Sequence, residues 1–322
     1  MKIIKFSLFF LSFCICTTWG YVFYDDFSKI NKESQPLEFG YNTKTKTLNL
    51  YFSPHGQGLG NRLKMLVSYL RFYKPENVNM YWPSRGWVNA KFSDLFVLNL
   101  PINIYENNTI ISYENKDNKK IHPLFDYIKT WGLLVTKTDF GNNLKPFSID
   151  CKYEKIPQNI KNIYLHYFGN IKPSQYVANR LKHINLPSKF IGVQVRNAPD
   201  WEAFYGANEP LQSFFDVMDQ YPSDTVFYLS AMSKEIANYF YEKYPKRIIE
   251  LPDKNYNSMI DAVADMYILG STDQLLCSFH SSFCEVAWWL GGANASVVVI
   301  GSGKNMVSSS KSKNPRKIME DL

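Results

Sequence analysis

Between residues 190 and 300 the chain alternates short apolar runs with segments of helical periodicity, and few architectures accept that pattern. Phe190 to Val195 is continuously apolar, as expected of a strand covered on both faces of a parallel sheet. After it the spacing predicts helix 210–220, strand 225–230, helix 234–244, strand 247–251, helix 258–269, strand 274–277, helix 282–290 and strand 296–300. Parallel strands need crossover connections, so this half of the chain predicts an α/β unit with helices on both faces of its sheet.

Upstream the signals are sparser. Thr47 to Phe52 alternates like a strand, residues 63–70 read as helix, 77–82 as a strand ending at Pro83, and 91–98 as a short helix. Residues 163–168 are expected as a strand and 174–184 as a helix capped by Ser174. The stretch 100–150 is rich in Asn and Lys and has little periodicity. Two α/β halves are the simplest organisation, with a boundary within 165–188.

Between the first strand and its helix lies His55-Gly56-Gln57-Gly58-Leu59-Gly60-Asn61-Arg62. Glycines there let a backbone approach an anion, and a helix N-terminus offers N–H donors and partial positive charge. Gly58, Gly60, Asn61 and Arg62 are therefore candidate phosphate-binding residues. Glycines that only permit tight packing are the alternative reading.

Strand ends supply the other candidates, because open α/β sheets bind ligands at the carboxyl ends of their strands. Arg196 directly follows a buried strand, where a cation calls for an anionic partner and a guanidinium fits phosphate in bidentate fashion. A surface pair with Asp200 is the alternative. Asp261 and Asp265 lie one helical turn apart, and a carboxylate there suits the N1–H and amine edge of guanine. Ser281 and Ser282 open the next helix beside His280 and form a second phosphate cradle. A Ser-His-Asp hydrolase is disfavoured, since the chain has no Gly-x-Ser-x-Gly elbow; the nucleoside-triphosphatase loop is also absent.

Composition narrows the setting. Hydrophobic content of 45% and aromatic content of 16% supply a packed core. Lys2, Lys5 and the apolar run Phe6 to Cys16 predict a signal peptide over residues 1–20, with a short signal anchor as second choice. Loss of those two lysines takes the formal charge of +7 down to +5, mild and scattered, which excludes a nucleic-acid surface and fits an anionic ligand in one pocket. Dispersed histidines and the lack of a CxxC pair exclude a zinc site. Cys277 and Cys284 are spaced to close a small loop in an oxidising compartment, leaving Cys151 odd. Sequons at Asn107 and Asn294 fit a secretory route through the ER or Golgi lumen.

Together Gly58-Leu59-Gly60-Asn61, Gln194-Val195-Arg196 and the late block Asp265…Leu269…Cys277-Ser278-Phe279-His280-Ser281-Ser282-Phe283-Cys284 resemble the motifs of the GDP-fucose-dependent fucosyltransferases, in the α1,6- and protein O-fucosyltransferase group that includes nodulation-type enzymes. The likeness covers roughly residues 48–70 and 188–300. It implies a GT-B-like fold, two Rossmann-like domains with parallel sheets facing a cleft: an acceptor domain over 46–170 and a GDP-sugar domain over 185–301, followed by a polar tail over 302–322. It further implies inverting transfer of fucose from GDP-fucose to a glycan or glycoprotein hydroxyl, with no metal and no cofactor beyond the donor. Arg196 would hold the pyrophosphate, Asp265 and Gln194 the guanine, and His280 and Ser281 a phosphate; Cys277 and Cys284 would pair.

The chain departs from the motif at Gln194, where members carry His, and at Asn197, where a second Arg is common. The catalytic base is sought among Glu202, Asp200 and Glu209, in that order. These departures keep open a nucleotide- or carbohydrate-binding protein without turnover. A luminal sulfotransferase is a third reading, and the His55–Arg62 turn suits it poorly. Membrane association is expected only if the leader is retained.

Overall fold

The computed structural model describes residues 40–52, 58–106, 133–135, 145–147, 158–196, 210–278 and 281–300. The leader, the tail, the sequon at Asn107, Cys151, Asp200, Glu202, Glu209 and His280 lie outside these residues.

The chain opens with β1 (Gly40–Asn42), β2 (Thr47–Tyr51), α1 (Leu59–Tyr73) and β3 (Asn77–Tyr81). Next come α2 (Phe92–Leu95), β4 (Phe96–Leu98) and β5 (Ile102–Tyr105), then β6 (Leu133–Val135) and β7 (Lys145–Phe147). α3 (Gln158–Gly169), β8 (Ile171–Pro173) and α4 (Gln175–Lys182) lead to the second half. That half runs β9 (Ile191–Val195), α5 (Pro210–Met218), β10 (Phe227–Ala231), α6 (Lys234–Lys243), β11 (Ile248–Ile249), α7 (Met259–Gly270), β12 (Gln274–Ser278), α8 (Ser282–Leu290) and β13 (Ser296–Ile300).

Two principal sheets result. The first has the order β1-β2-β3-β5, parallel except for the β1 edge. The second is wholly parallel, ordered β11-β10-β9-β12-β13. Its strand order reverses at β9, so the crossovers place helices on both faces and leave a crevice between the carboxyl ends of β9 and β12. The expected α/β architecture with parallel sheets is therefore present.

Period-2 alternation sorts the second sheet's side chains into two cores. Val193, Val195, Phe227, Leu229 and Leu276 pack with Phe214 of α5 and Phe240 of α6. Tyr228, Leu275, Cys277 and Val299 face a larger core. That core continues through α8 and α1 to Leu48, Leu50, Val78 and Met80 of the first sheet. Helices α1 and α8 thus join the halves into one packed body. Between them lies an ion pair of Lys64 and Glu285, whose side chains are 3% and 0% exposed. α4 is tied to α7 by a bidentate pair, Arg180 to Asp261, at 2.6 and 3.1 Å.

Two sequence expectations are corrected. Residues 163–168 belong to helix α3, not to a strand; Tyr164 and Phe168, one turn apart, are its buried face. The predicted helix over 91–98 breaks after one turn at Phe96, whose extended backbone starts β4 against β8.

Candidate active site

A cleft of about 340 Å³ opens at the carboxyl ends of β9 and β10, a size usual for small-molecule sites. Its wall includes Gly58, Gly60 and Asn61 from the first half and Gln194, Arg196, Asp265 and Ser282 from the second. Seven of the sequence candidates, drawn from four separate segments, therefore share one cavity.

The switch point is stitched by Ser278 at the end of β12. Its Oγ accepts the Arg196 backbone N–H at 2.7 Å and donates to the Gln194 carbonyl at 3.3 Å. This fixes the main chain on either side of Val195, so the strand exit bearing Arg196 is held in register with β12. Arg196 is half-buried in the cleft wall. Gln194 is 4% exposed, and its Oε1 has no hydrogen-bond partner. Asn61 Oδ1 in the same cleft is likewise buried without a partner. Buried acceptors left unpaired are costly, and a ligand's N–H or O–H groups would relieve both.

Two helices start beside these groups. Gly58 is the N-cap of α1 in extended conformation and makes no side-chain cap, which leaves the first-turn N–H groups of α1 beside the cleft. Ser281 caps α8 by accepting the Cys284 N–H, and it is 2% exposed. Ser282 lines the cleft and Ser281 does not. Cys277 and Cys284 form a disulfide that ties the end of β12 to the first turn of α8.

Two candidates do other work than expected. Arg62 does not line the cleft: it is fully buried, its guanidinium sits 4.8 Å from the Trp82 ring centroid, and Nη1 donates to the Pro83 carbonyl at 2.8 Å. Burial lowers its pKa to about 10. It faces the first-sheet core because α1 turns that face of its first turn inward. Asp261 is neither solvent-facing nor in the cleft, being held by Arg180 and by the Asn255 N–H at 2.8 Å.

Asp265 lines the cleft but is 2% exposed and already holds three donors. Tyr228 Oη donates at 2.6 Å to one oxygen, while Ser230 Oγ and Lys254 Nζ lie 2.8 Å from the other. Lys254 also reaches Glu250 at 3.2 Å. Burial alone would lower the Lys254 pKa, yet the charges of Asp265 and Glu250 outweigh it and leave it raised. Lys254 has a sequence signal only in hindsight: it is a cation in the loop after a strand, eleven residues before its partner. Trp87 and Met232, both half-exposed, also line the cleft and carried no motif. Among the described residues no cluster of His, Cys, Asp or Glu is arranged to hold a metal ion, and no helix is long and apolar enough to cross a membrane.

No protein-family model matches the chain, and no curated protein matches it. Solved structures do. The chain is similar in fold to solved fucosyltransferases. NodZ from Bradyrhizobium matches at 16% identity with a TM-score of 0.47, covering 76% of this chain and 93% of that one. Arabidopsis thaliana FUT1, in complex with GDP, matches at 15% identity and a TM-score of 0.47, covering 85% and 73%. POFUT1 matches at 12% identity and a TM-score of 0.46, covering 84% and 100%.

Proposed function

We propose that this chain is a glycosyltransferase that transfers fucose from GDP-fucose to an acceptor hydroxyl with inversion. The observation that carries the reading is the shared cavity. Three motifs far apart in sequence meet at the carboxyl end of β9, where Arg196, the α1 N-terminus and Ser282 can share one diphosphate. Gln194 Oε1, buried and without a partner, supplies an acceptor suited to an N–H of the base.

In the proposed reaction the acceptor oxygen bonds to the anomeric carbon as the bond from that carbon to the β-phosphate oxygen breaks. GDP leaves with the electron pair, and its growing charge is met by Arg196 and the helix N–H groups. The hydroxyl proton passes to a carboxylate, for which Glu202 and then Asp200 are the candidates; such general-base help contributes ~10²–10⁴-fold. His280 belongs to the phosphate side of this reading and Asp265 to its base side, while Ser281 serves it by capping α8, whose first residue Ser282 lines the cleft. The protein would act in the ER or Golgi lumen, with a nucleotide-sugar donor, a glycan or glycoprotein acceptor and no nucleic acid. Asn294 of the second sequon is exposed and accessible to glycosylation on that route.

Gln194 in place of the motif His favours one second reading, donor binding without turnover. A thermal-shift screen against GDP, UDP, CMP and adenosine bisphosphate, followed by an assay of GDP release from GDP-fucose, separates the two. Selective stabilisation by GDP with GDP release supports transfer. GDP binding without release over glycan and peptide acceptors supports the second reading, and preference for adenosine bisphosphate removes both. Arg196→Ala is expected to abolish release and GDP binding while the protein remains folded.

A further inference from the structure

We infer that Lys254 reads the carbonyl of the donor's nucleobase, and that Asp265 acts through it by positioning the ammonium instead of touching the base. The inference rests on the transferase reading above and adds the chemistry by which that site selects a base. Lys254 stands on the loop between β11 and α7, lines the cleft, and has a side chain only 6% exposed. A buried ammonium needs acceptors for its protons, and a lysine carries three.

Two of those acceptors belong to the protein. Asp265 Oδ2 lies 2.8 Å from Lys254 Nζ, and Glu250 Oε1 lies 3.2 Å from it. Both carboxylates are themselves held. Tyr228 and Ser230 donate to Asp265 at 2.6 and 2.8 Å, and Tyr256 donates to the other oxygen of Glu250 at 2.9 Å. The Tyr256 ring packs against the ammonium, its centre 4.9 Å from Nζ. The ammonium is thus fixed in place, and its third proton is left for the cleft that it lines. Asp265 is placed differently. Its carboxylate is 2% exposed and carries three donors, so roughly one of its four acceptor positions remains, too few for the paired N1–H and amine contact of guanine.

An acceptor stands close to the lysine. Gln194 and Ser230 are partners across β9 and β10, so their side chains leave one face of the sheet about 4.8 Å apart. Ser230 Oγ and Lys254 Nζ meet on the same oxygen of Asp265. Gln194 Oε1, buried and unpartnered, is therefore one residue removed from the ammonium, and the cleft presents an acceptor beside a cationic donor. A carbonyl adjoining an N–H fits that pair, as in the O6 and N1–H of guanine or hypoxanthine. Adenine and cytosine carry an amine beside a bare ring nitrogen, which would set donor against donor and lone pair against lone pair.

The test measures affinities of the full chain for GDP, inosine diphosphate and 6-thio-GDP. Inosine diphosphate lacks the exocyclic amine; 6-thio-GDP keeps the amine and N1–H but offers sulfur, a poorer acceptor, in place of O6. Wild type should bind inosine diphosphate within about threefold of GDP, and 6-thio-GDP about tenfold more weakly. Lys254→Met should weaken GDP binding and erase the preference for GDP over 6-thio-GDP. That variant leaves two carboxylates without their cation, so Lys254→Met/Glu250→Gln is measured beside it and should show the same levelled ratio. A purely structural lysine would weaken all three nucleotides equally and keep the preference. Asp265→Asn should shrink the preference while the ratio of GDP to inosine diphosphate stays unchanged. Equal wild-type affinity for GDP and 6-thio-GDP, or a preference that survives loss of the lysine, overturns the assignment of Lys254. A loss of affinity for inosine diphosphate that Asp265→Asn removes returns the base to Asp265. Failure of wild type to bind any of the three nucleotides sinks the transferase reading instead.

Discussion

Gly60 and Ser282, more than two hundred residues apart in sequence, are in backbone contact: a Cβ on Gly60 would lie 2.6 Å from the Ser282 carbonyl carbon and oxygen. The contact sets the spacing between the first turns of α1 and α8, and both residues line the cleft. Gly60 is thus tightly packed, and the packing forms part of the cavity wall. Gly60→Ala is expected to force the helices apart and destabilise the protein by about 1–3 kcal/mol. Gly58, with φ −69° and nothing within 4 Å of its Cβ position, is the internal control. Melting temperatures should fall by several degrees for Gly60→Ala and by clearly less for Gly58→Ala, where only the N-cap preference for glycine is lost. Equal effects would show that the contact does not hold the helices.

The buried Lys64–Glu285 pair lies one turn further along the same interface. Removing one partner leaves a charge in a dry core, at a cost of about 3–5 kcal/mol, whereas replacing both with apolar groups is often neutral. Lys64→Met should therefore unfold at far lower denaturant than wild type, and the double variant Lys64→Met/Glu285→Leu should recover most of the loss. A double variant no better than the single one would mean that the pair is not coupled.

Lys254 offers a test by pH. Its raised pKa means that its contribution to stability is complete below the ordinary lysine value of 10.5 and is lost as pH climbs through the higher folded value. In Lys254→Met the carboxylates of Glu250 and Asp265 lose their shared cation, a deficit of about 3–5 kcal/mol near neutrality. It should shrink as pH climbs through the raised lysine value, where wild type loses its own ammonium. A deficit independent of pH, from melting curves at several pH values, would assign the effect to packing alone.

The second half of the fold was legible because its strands are buried on both faces and read as mostly apolar runs. Ser174 also caps its helix at the expected place, accepting the Val177 N–H, and Ser258, read as the start of its helix, is that helix's cap and accepts the Asp261 N–H. Residues 163–168 misled because a six-residue apolar window has no visible period; the Tyr164–Phe168 spacing emerges only over the whole helix. β1, β5 and β8 are three or four residues long, and their pairing depends on distant partners. In the site, strand ends were legible as positions, so Gln194 and Arg196 fell where expected. The facing of a helical residue was not: Arg62 follows Asn61 directly, yet α1 turns one to the core and the other to the cleft. Asp265 was found as a carboxylate, but its three donors come from β10 and the β11–α7 loop, contacts that spacing along one helix cannot reveal.

Gln194 carries the last prediction because its two roles pull in opposite directions. Its Oε1 is buried in the cleft wall with no partner, which penalises the empty protein by roughly 1 kcal/mol or more. Gln194→Leu keeps the approximate volume and removes that penalty, so the unliganded variant should melt at or above the wild-type temperature. It also deletes the acceptor meant for the base, so the stabilisation that GDP confers should fall with a loss of affinity of about tenfold. Only a group left unsatisfied for a ligand's sake produces a variant that is firmer when empty and weaker in binding. A several-degree drop in the empty state would reveal a structural partner for Gln194. Unchanged GDP affinity would remove it from the base site and leave that recognition to Asp265 and Lys254.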